Sequence, residues 1–349
     1  MSGIAGWFRE RIPVSKAELF EITNEPVPNH LRAWWFCLGG TPAYLFVVQI
    51  VTGILLAFYY QPAPSTAYDS VARITHEISY GWYIRSVHKW AATLMIAAVI
   101  LHQMRIYFTG AYRKPREINW MIGMCLLLCS LLLGFTGYSL VFEQLSYWGA
   151  SVGANICDTI PFVGHLLKQM LLAGEEYNQN TITRFFILHV AVLPATMVLL
   201  LVMHVALLRL QGVTEFEFED APKNQPKHFN FFPDHFYTEL IIGLVLMILL
   251  SVLATVLPAL MGDRANPLDT PEHIKPEWFF YVTFRWLKLF SGTLAVVSSG
   301  FIVFIMFVWP FLDAFIRKKT KFAEASVWIG ILGVLTLIGF TLWEAFAEH

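Results

Sequence analysis

Charge is scarce in this chain. Lys, Arg, Asp and Glu make up only 14% of its 349 residues, too few to cover a soluble domain of that size, while 56% are hydrophobic. The 24 basic and 25 acidic side chains leave a net charge of -1, which excludes the basic field that nucleic-acid binding requires. Cysteine is equally sparse. Cys37, Cys125, Cys129 and Cys157 form neither a C-x-x-C-H attachment signature nor paired C-x-x-C zinc spacing, and three of them lie in or beside apolar runs, so no disulfide framework is expected. The N-terminus also lacks a basic segment followed by an apolar one. Trp7, Phe8, Ile12, Leu19 and Phe20 stand among charges, and the stretch reads as an uncleaved interfacial amphipathic helix.

What is present is apolar sequence in long runs. A membrane-spanning helix needs roughly 20 apolar residues, and seven stretches qualify, at about 34–59, 90–108, 118–140, 186–208, 239–260, 294–316 and 326–346. The expected fold is an all-α membrane protein of seven transmembrane helices, a four-helix bundle followed by a three-helix module. Residues 1–211 form the first unit, 212–236 a polar linker and 237–349 the second unit. Basic residues gather before the first span (Arg9, Arg11, Lys16), between the second and third, between the fourth and fifth, and between the sixth and seventh (Arg317, Lys318, Lys319, Lys321). The positive-inside rule therefore puts the N-terminus on the cytoplasm-like side, called n here, with the acidic loops on the opposite, p, side. The third-to-fourth loop, with Pro161 and Gly164 among apolar residues, is expected to hold short interfacial helices. The fifth-to-sixth loop is rich in proline, and long ordered loops commonly carry function.

Two spans contain paired histidines: His88 and His102 on the second, His189 and His204 on the fourth. Fourteen residues at 1.5 Å each span roughly 21 Å, and four turns return each pair close to one helix face. Ionisable groups at that depth are costly. One imidazole from each of two facing helices gives a six-coordinate low-spin iron suited to electron transfer. The second and fourth spans run in the same direction, so His88 pairs with His189 near the p side and His102 with His204 near the n side, giving two b haems. Gly39 and Gly53 on the first span, and Gly123 and Gly137 on the third, repeat the fourteen-residue interval. They provide clearance for two planar macrocycles, or else ordinary small-residue helix packing. Arg85, Arg105, Arg184 and Arg209 flank the histidines, as partners for haem propionates or as snorkelling anchors.

Several motifs add to this. Cys37-Leu38-Gly39-Gly40, Val51-Thr52-Gly53, Arg85-Ser86-Val87-His88, Lys114-Pro115-Arg116-Glu117, Gly134-Phe135-Thr136-Gly137-Tyr138-Ser139-Leu140 and Thr183-Arg184-Phe185 closely resemble cytochrome b6, as does the fifteen-residue His189 to His204 interval. From about residue 230 onward the chain resembles subunit IV of the same Rieske/cytochrome b complexes, with Ala265-Asn266-Pro267 and Pro276-Glu277-Trp278-Phe279 as markers. The resemblance implies a quinol:cytochrome c (or plastocyanin-like acceptor) oxidoreductase working by a Q cycle coupled to proton translocation. Its expected partners are a Rieske iron–sulfur protein, a c-type cytochrome subunit, membrane lipid and a second copy of the complex, in a bacterial inner or intracytoplasmic membrane. It further implies a p-side quinol pocket at Gly137 to Leu140, with Tyr138, and at Pro276 to Phe279, with Glu277 as proton acceptor. Cys37 is implied as the thioether attachment point of an additional haem c on the n side. Glu239, with Asp234 and His235 nearby, is implied at the n-side quinone site. Two positions depart from the family pattern: Phe279 stands where a tyrosine is usual, and Val141-Phe142 where Pro-Trp is usual.

Two other function classes compete. A haem-bearing membrane anchor that relays electrons for a soluble dehydrogenase would use a similar bundle, but needs neither the Pro-Glu-Trp loop nor the three-helix module. A channel or transporter would require the four histidines to line a water-filled path.

Overall fold

The computed structural model describes residues 26–32, 34–214, 228–272, 274–290, 292–320 and 325–347. The expected N-terminal amphipathic helix, most of the 212–236 linker, and the basic residues Arg9, Arg11, Lys16, Lys223, Lys227 and Lys321 lie outside them. The first span opens as a tight turn of 3-10 helix, Trp34–Gly39, and continues as α1, Gly40–Ala57. A short amphipathic helix follows, α2, Ala67–His76, with Asp69 in its first turn and Arg73 and His76 in its last, complementing the helix dipole. The second span is α3, Gly81–Phe108, which begins well before the expected residue 90. A Cβ on Gly81 would strike the Ile74 carbonyl, so the tight α2–α3 junction requires glycine there. The third span is α4, Glu117–Ser139. Two loop helices follow as expected, α5, Gln144–Asp158, and α6, Gly164–Leu172, the first started by a capping box between Glu143 and Ser146.

The fourth span runs from Gln179 to Gln211. It consists of α7, Gln179–Ile187, one wide π turn over Leu188–Val192, and α8, Leu193–Gln211. The fifth contains α9, Phe236–Val256, which stops where Leu257 precedes Pro258 and leaves helical geometry. After an irregular stretch come α10, Tyr281–Leu289, α11, Gly292–Phe307, α12, Trp309–Thr320, and α13, Ala325–Phe346. Among the described residues six spans are long and apolar enough to cross a membrane, and α11 with α12 makes a seventh if taken together. The expected sixth span at about 294–316 falls on this pair and is bent, α11 and α12 meeting at 73°. Pro310 has no N–H for the Met306 carbonyl, and Trp120 Nε1 donates to that carbonyl at 2.8 Å instead.

Spans α1 and α3 pack together, as do α4 and α8, and α9 lies against α1 and α3. Leu45, Ala91, Met95, Cys129, Leu133, Leu250 and Ala254 fill the common core. The outward faces are as apolar as the inward ones, with Val51, Leu199, Val202, Ile241 and Ile248 all more than half exposed. Such a surface is suited to lipid, and the chain is an integral membrane protein. Among the described residues the only sheet is a two-stranded antiparallel ladder, Pro26–Pro28 with His228–Asn230, which ties the chain before α1 to the approach to α9.

Candidate functional site

The structure brings the four histidines together in the expected pairs. His88 and His189 have ring centroids 6.3 Å apart and planes inclined at 72°. Two nitrogen–metal bonds of about 2 Å each, added to the two ring radii, come to this separation, so the pair fits axial ligation of one iron. His204 lies within Coulombic range of His102 as the second pair. The glycines face the same rings. A Cβ at Gly53 would lie 3.3 Å from His88 Cε1, at Gly39 3.3 Å from His102 Cε1, at Gly123 3.7 Å from His204 Cε1 and at Gly137 2.6 Å from His189 Cε1.

Two threonines, which sequence reasoning missed, fix the tautomer of the first pair. Thr52 Oγ1 lies 2.8 Å from His88 Nδ1, and Thr136 Oγ1 lies 3.1 Å from His189 Nδ1. Each hydroxyl donates its one proton to a carbonyl a turn earlier, Val48 at 2.7 Å and Leu132 at 2.8 Å. The hydroxyl oxygen therefore accepts from Nδ1–H, and Nε2 is left bare, the form a metal ligand needs. The available signal was the dipeptide Thr-Gly at matching places, Thr52-Gly53 and Thr136-Gly137. At the other level, Nδ1 of His102 is buried with no hydrogen-bond partner among the described residues, while the His204 ring lies against the Asn119 backbone.

The fifteen-residue interval on the fourth span is explained by the π turn. His189 sits inside it, and Pro194 follows at the start of α8. Lacking an N–H and crowding the carbonyl four residues earlier, Pro194 favours a widened turn that absorbs one extra residue. His189 and His204 thus match the fourteen-residue pair on α3.

The flanking arginines all touch protein. Arg85 Nη1 donates to the Ala259 carbonyl at 2.6 Å and Nη2 lies 3.7 Å from Glu143, tying α3 to the segment after α9. Arg184 donates to the carbonyls of Gln169 and Met170 at the end of α6. Arg209 lies over the Phe231 ring, and Arg105 is near both His102 and Cys37. Cys37, two residues before Gly39, is buried, and its thiol donates to the Leu31 carbonyl at 3.5 Å. Glu239 shares a hydrogen bond with Cys37 and lies 3.7 Å from His235 Nε2. Gly40 makes room for that carboxylate, since a Cβ there would overlap Glu239 Oε2. Asp234 is exposed and does not join this cluster.

At the opposite end of the bundle, Pro276–Phe279 packs on α4. The Cζ of Phe279, where a tyrosine would carry its oxygen, would lie 2.9 Å from a Cβ on Gly134, one turn from Gly137. Glu277 starts the short 3-10 turn Trp278–Phe280 and lies within Coulombic range of Tyr138 and Tyr281. Trp278 Nε1 is buried without a hydrogen-bond partner among the described residues. Phe142, at the second departure from the family pattern, is buried against Tyr147 and Tyr177 with a left-handed φ of 58°.

Comparisons with known proteins agree with this arrangement. The family model described as cytochrome b/b6/petB matches residues 22–212, and that described as cytochrome b(C-terminal)/b6/petD matches residues 264–345. The chain is 46% identical over 209 residues to cytochrome b6 of Heliomicrobium gestii, covering 60% of this chain and 98% of that protein. It is 35% identical over 356 residues to the cytochrome bc complex cytochrome b subunit of Chlorobaculum thiosulfatiphilum, covering 99% of this chain and 81% of that one. The solved structure of a hyperthermophilic respiratory Complex III superposes with a TM-score of 0.85 at 25% identity, over 99% of this chain and 92% of the other. From sequence, fold and site together, the chain belongs to the cytochrome b/b6 family, whose members carry b-type haem, and is the cytochrome b subunit of a bc/b6f-type complex.

Proposed function

We propose that this subunit oxidises quinol beside the His88–His189 pair, on the p side, and returns electrons to quinone beside His102 and His204, on the n side, with proton translocation by a Q cycle. The observation that carries the reading is the seat of Phe279 on Gly134, one turn from the glycine that faces His189. Held between His88 and His189, and between His102 and His204, b-type haem supplies one-electron centres at two depths of an otherwise insulating layer. Quinol gives up two electrons and two protons; one electron leaves to a Rieske iron–sulfur partner and the other is passed inward. Glu277 takes a proton from the quinol hydroxyl, Trp278 Nε1 offers a hydrogen bond to its oxygen, and Pro276, Phe279 and Tyr138 shape the apolar wall.

On the n side, Cys37 would hold a further haem through its thiol, and Glu239, or alternatively the nearby Asp234, delivers protons to quinone. Gly39, Gly53, Gly123 and Gly137 give clearance, and Arg85, Arg105, Arg184 and Arg209 would pair with haem propionates, Arg85 and Arg184 only by exchanging the backbone carbonyls they now hold. The units 1–211 and 237–349, joined by 212–236, correspond to a cytochrome b6-like part and a subunit IV-like part. The complex contains a c-type cytochrome, is a homodimer, and acts as a quinol:cytochrome c or plastocyanin-like acceptor oxidoreductase in a bacterial energy-transducing membrane, with the N-terminus on the n side. In the purified complex, Glu277→Gln should lower quinol:cytochrome c turnover by about 100-fold, the range of general-base effects, with b-haem content unchanged. Undiminished turnover would remove Glu277 from the mechanism. Cys37→Ala should abolish haem staining of this chain on a denaturing gel; persistent staining would exclude the thioether.

A further inference from the structure

The last span ends beside Pro276–Phe279, and its final turns carry a carboxylate that the site described above leaves unused. Glu344 of α13 is fully buried, a position in which an unpaired carboxylate would be costly. Each of its oxygens faces one cation from α10: Lys288 Nζ lies 3.1 Å from Oε1 and Arg285 Nη1 lies 3.4 Å from Oε2. The Arg285 guanidinium also lies 3.7 Å from the Trp343 ring centroid, and Lys288 Nζ lies 4.2 Å from that of Phe284. Both cations are therefore held by a ring face as well as by the carboxylate. On the other flank of the segment, Lys275 Nζ donates to the Ala347 carbonyl at 2.8 Å, a cation at the C-terminal end of α13 as the helix dipole favours. The end of α13 thus grips the residue immediately before Pro276 and the helix that begins two residues after Phe279.

We infer that Glu344, with Arg285, Lys288 and Lys275, forms a positioning cluster through which the end of the last span sets the place of Pro276–Phe279 against α4. The inference rests on reading that segment as the quinol site. Between its two anchors the segment is short, and its own internal tie is the Phe280 N–H to the Glu277 carbonyl at 2.9 Å. Its flanks therefore share in holding it on Gly134, together with the contact of the Phe280 ring with Phe135 on α4. Tyr281, in the first turn of α10, feels both ends of the arrangement: its phenol pKa is raised by burial, then by the charges of Glu277 and of Glu344.

A displacement of about 1 Å at a reacting centre costs on the order of 100-fold in rate. Glu344→Gln keeps the shape of the side chain and removes its charge, so kcat/KM for a short-chain quinol, with cytochrome c as acceptor, should fall on the order of 10- to 100-fold. Both b-haem bands should keep their wild-type intensity. Glu344→Asp keeps the charge and should recover most of the loss, which a merely volume-filling role would not produce. Wild-type kcat/KM in a fully haem-loaded Glu344→Gln complex overturns the inference. Should that variant not assemble, Lys275→Met decides, because it removes only the tie to Ala347: a lowered kcat/KM with b-haem content unchanged supports the cluster, and an unchanged kcat/KM overturns it. If the wild-type complex oxidises neither a short-chain ubiquinol nor a short-chain menaquinol, the quinol reading fails. The cluster is then tested by amide hydrogen exchange at residues 277–280 in whichever of the two variants assembles. Exchange there must quicken, and an unchanged rate overturns the inference.

Discussion

A methyl group added at Gly137 would sit 2.6 Å from His189 Cε1, whereas at Gly123 it would meet His204 Cε1 at 3.7 Å, an ordinary contact. The two substitutions should therefore differ. Gly137→Ala displaces the His189 ring and should lose about half of the b-type haem per chain, while Gly123→Ala keeps it all, as read by pyridine haemochrome. Equal haem content in both would contradict the clearance argument. Thr52 tests the other missed feature. Thr52→Val leaves His88 Nδ1–H without its acceptor, which makes the imidazole a poorer donor to iron and favours the reduced state. Loss of a hydrogen bond of about 1 kcal/mol raises one of the two midpoint potentials by on the order of 40 mV; no shift in a redox titration would show that this hydroxyl does not tune the site. The histidines and glycines were legible in sequence because a fourteen-residue interval recurs on three spans and a fifteen-residue one on the fourth. The threonines were not, because a threonine within an apolar helix ordinarily bonds only its own preceding turn, and its second partner belongs to another helix.

Among the elements, hydropathy located every span but misjudged ends and bends. The second span begins at Gly81 because Arg85 finds the Ala259 and Leu260 carbonyls; its charge had hidden the first turns. The sixth is broken because apolar runs read straight through Pro310, and the partner that satisfies the freed Met306 carbonyl, Trp120, lies far away in sequence. Trp120→Phe keeps the ring and removes that donor. It should destabilise the protein by about 1–3 kcal/mol, the cost of an unsatisfied buried carbonyl, seen as a lower unfolding temperature in detergent. An unchanged temperature would mean that the bend does not depend on Trp120. The π turn around His189 has the same origin in a proline, Pro194, but here a sequence clue existed: one residue more between the histidines of the fourth span than between those of the second.

For the whole molecule, the decisive property is that two levels of paired imidazoles sit inside one apolar body, with a glycine against each ring and lipid-compatible surface outside. The fold class was readable from composition and run length, and the site from spacing. The contribution of the last span was not, since Glu344 and the Pro276–Phe279 segment are brought together only by the packing of α10 on α13. The most direct test of the account is the amount and spin state of haem in the purified complex, measured by pyridine haemochrome together with electron paramagnetic resonance of the oxidised protein. Two b haems per chain, both low-spin with bis-imidazole signatures and each lost on replacing the histidines of its own pair, is the predicted result. One b haem or none, or a high-spin signal from either b centre, would contradict it.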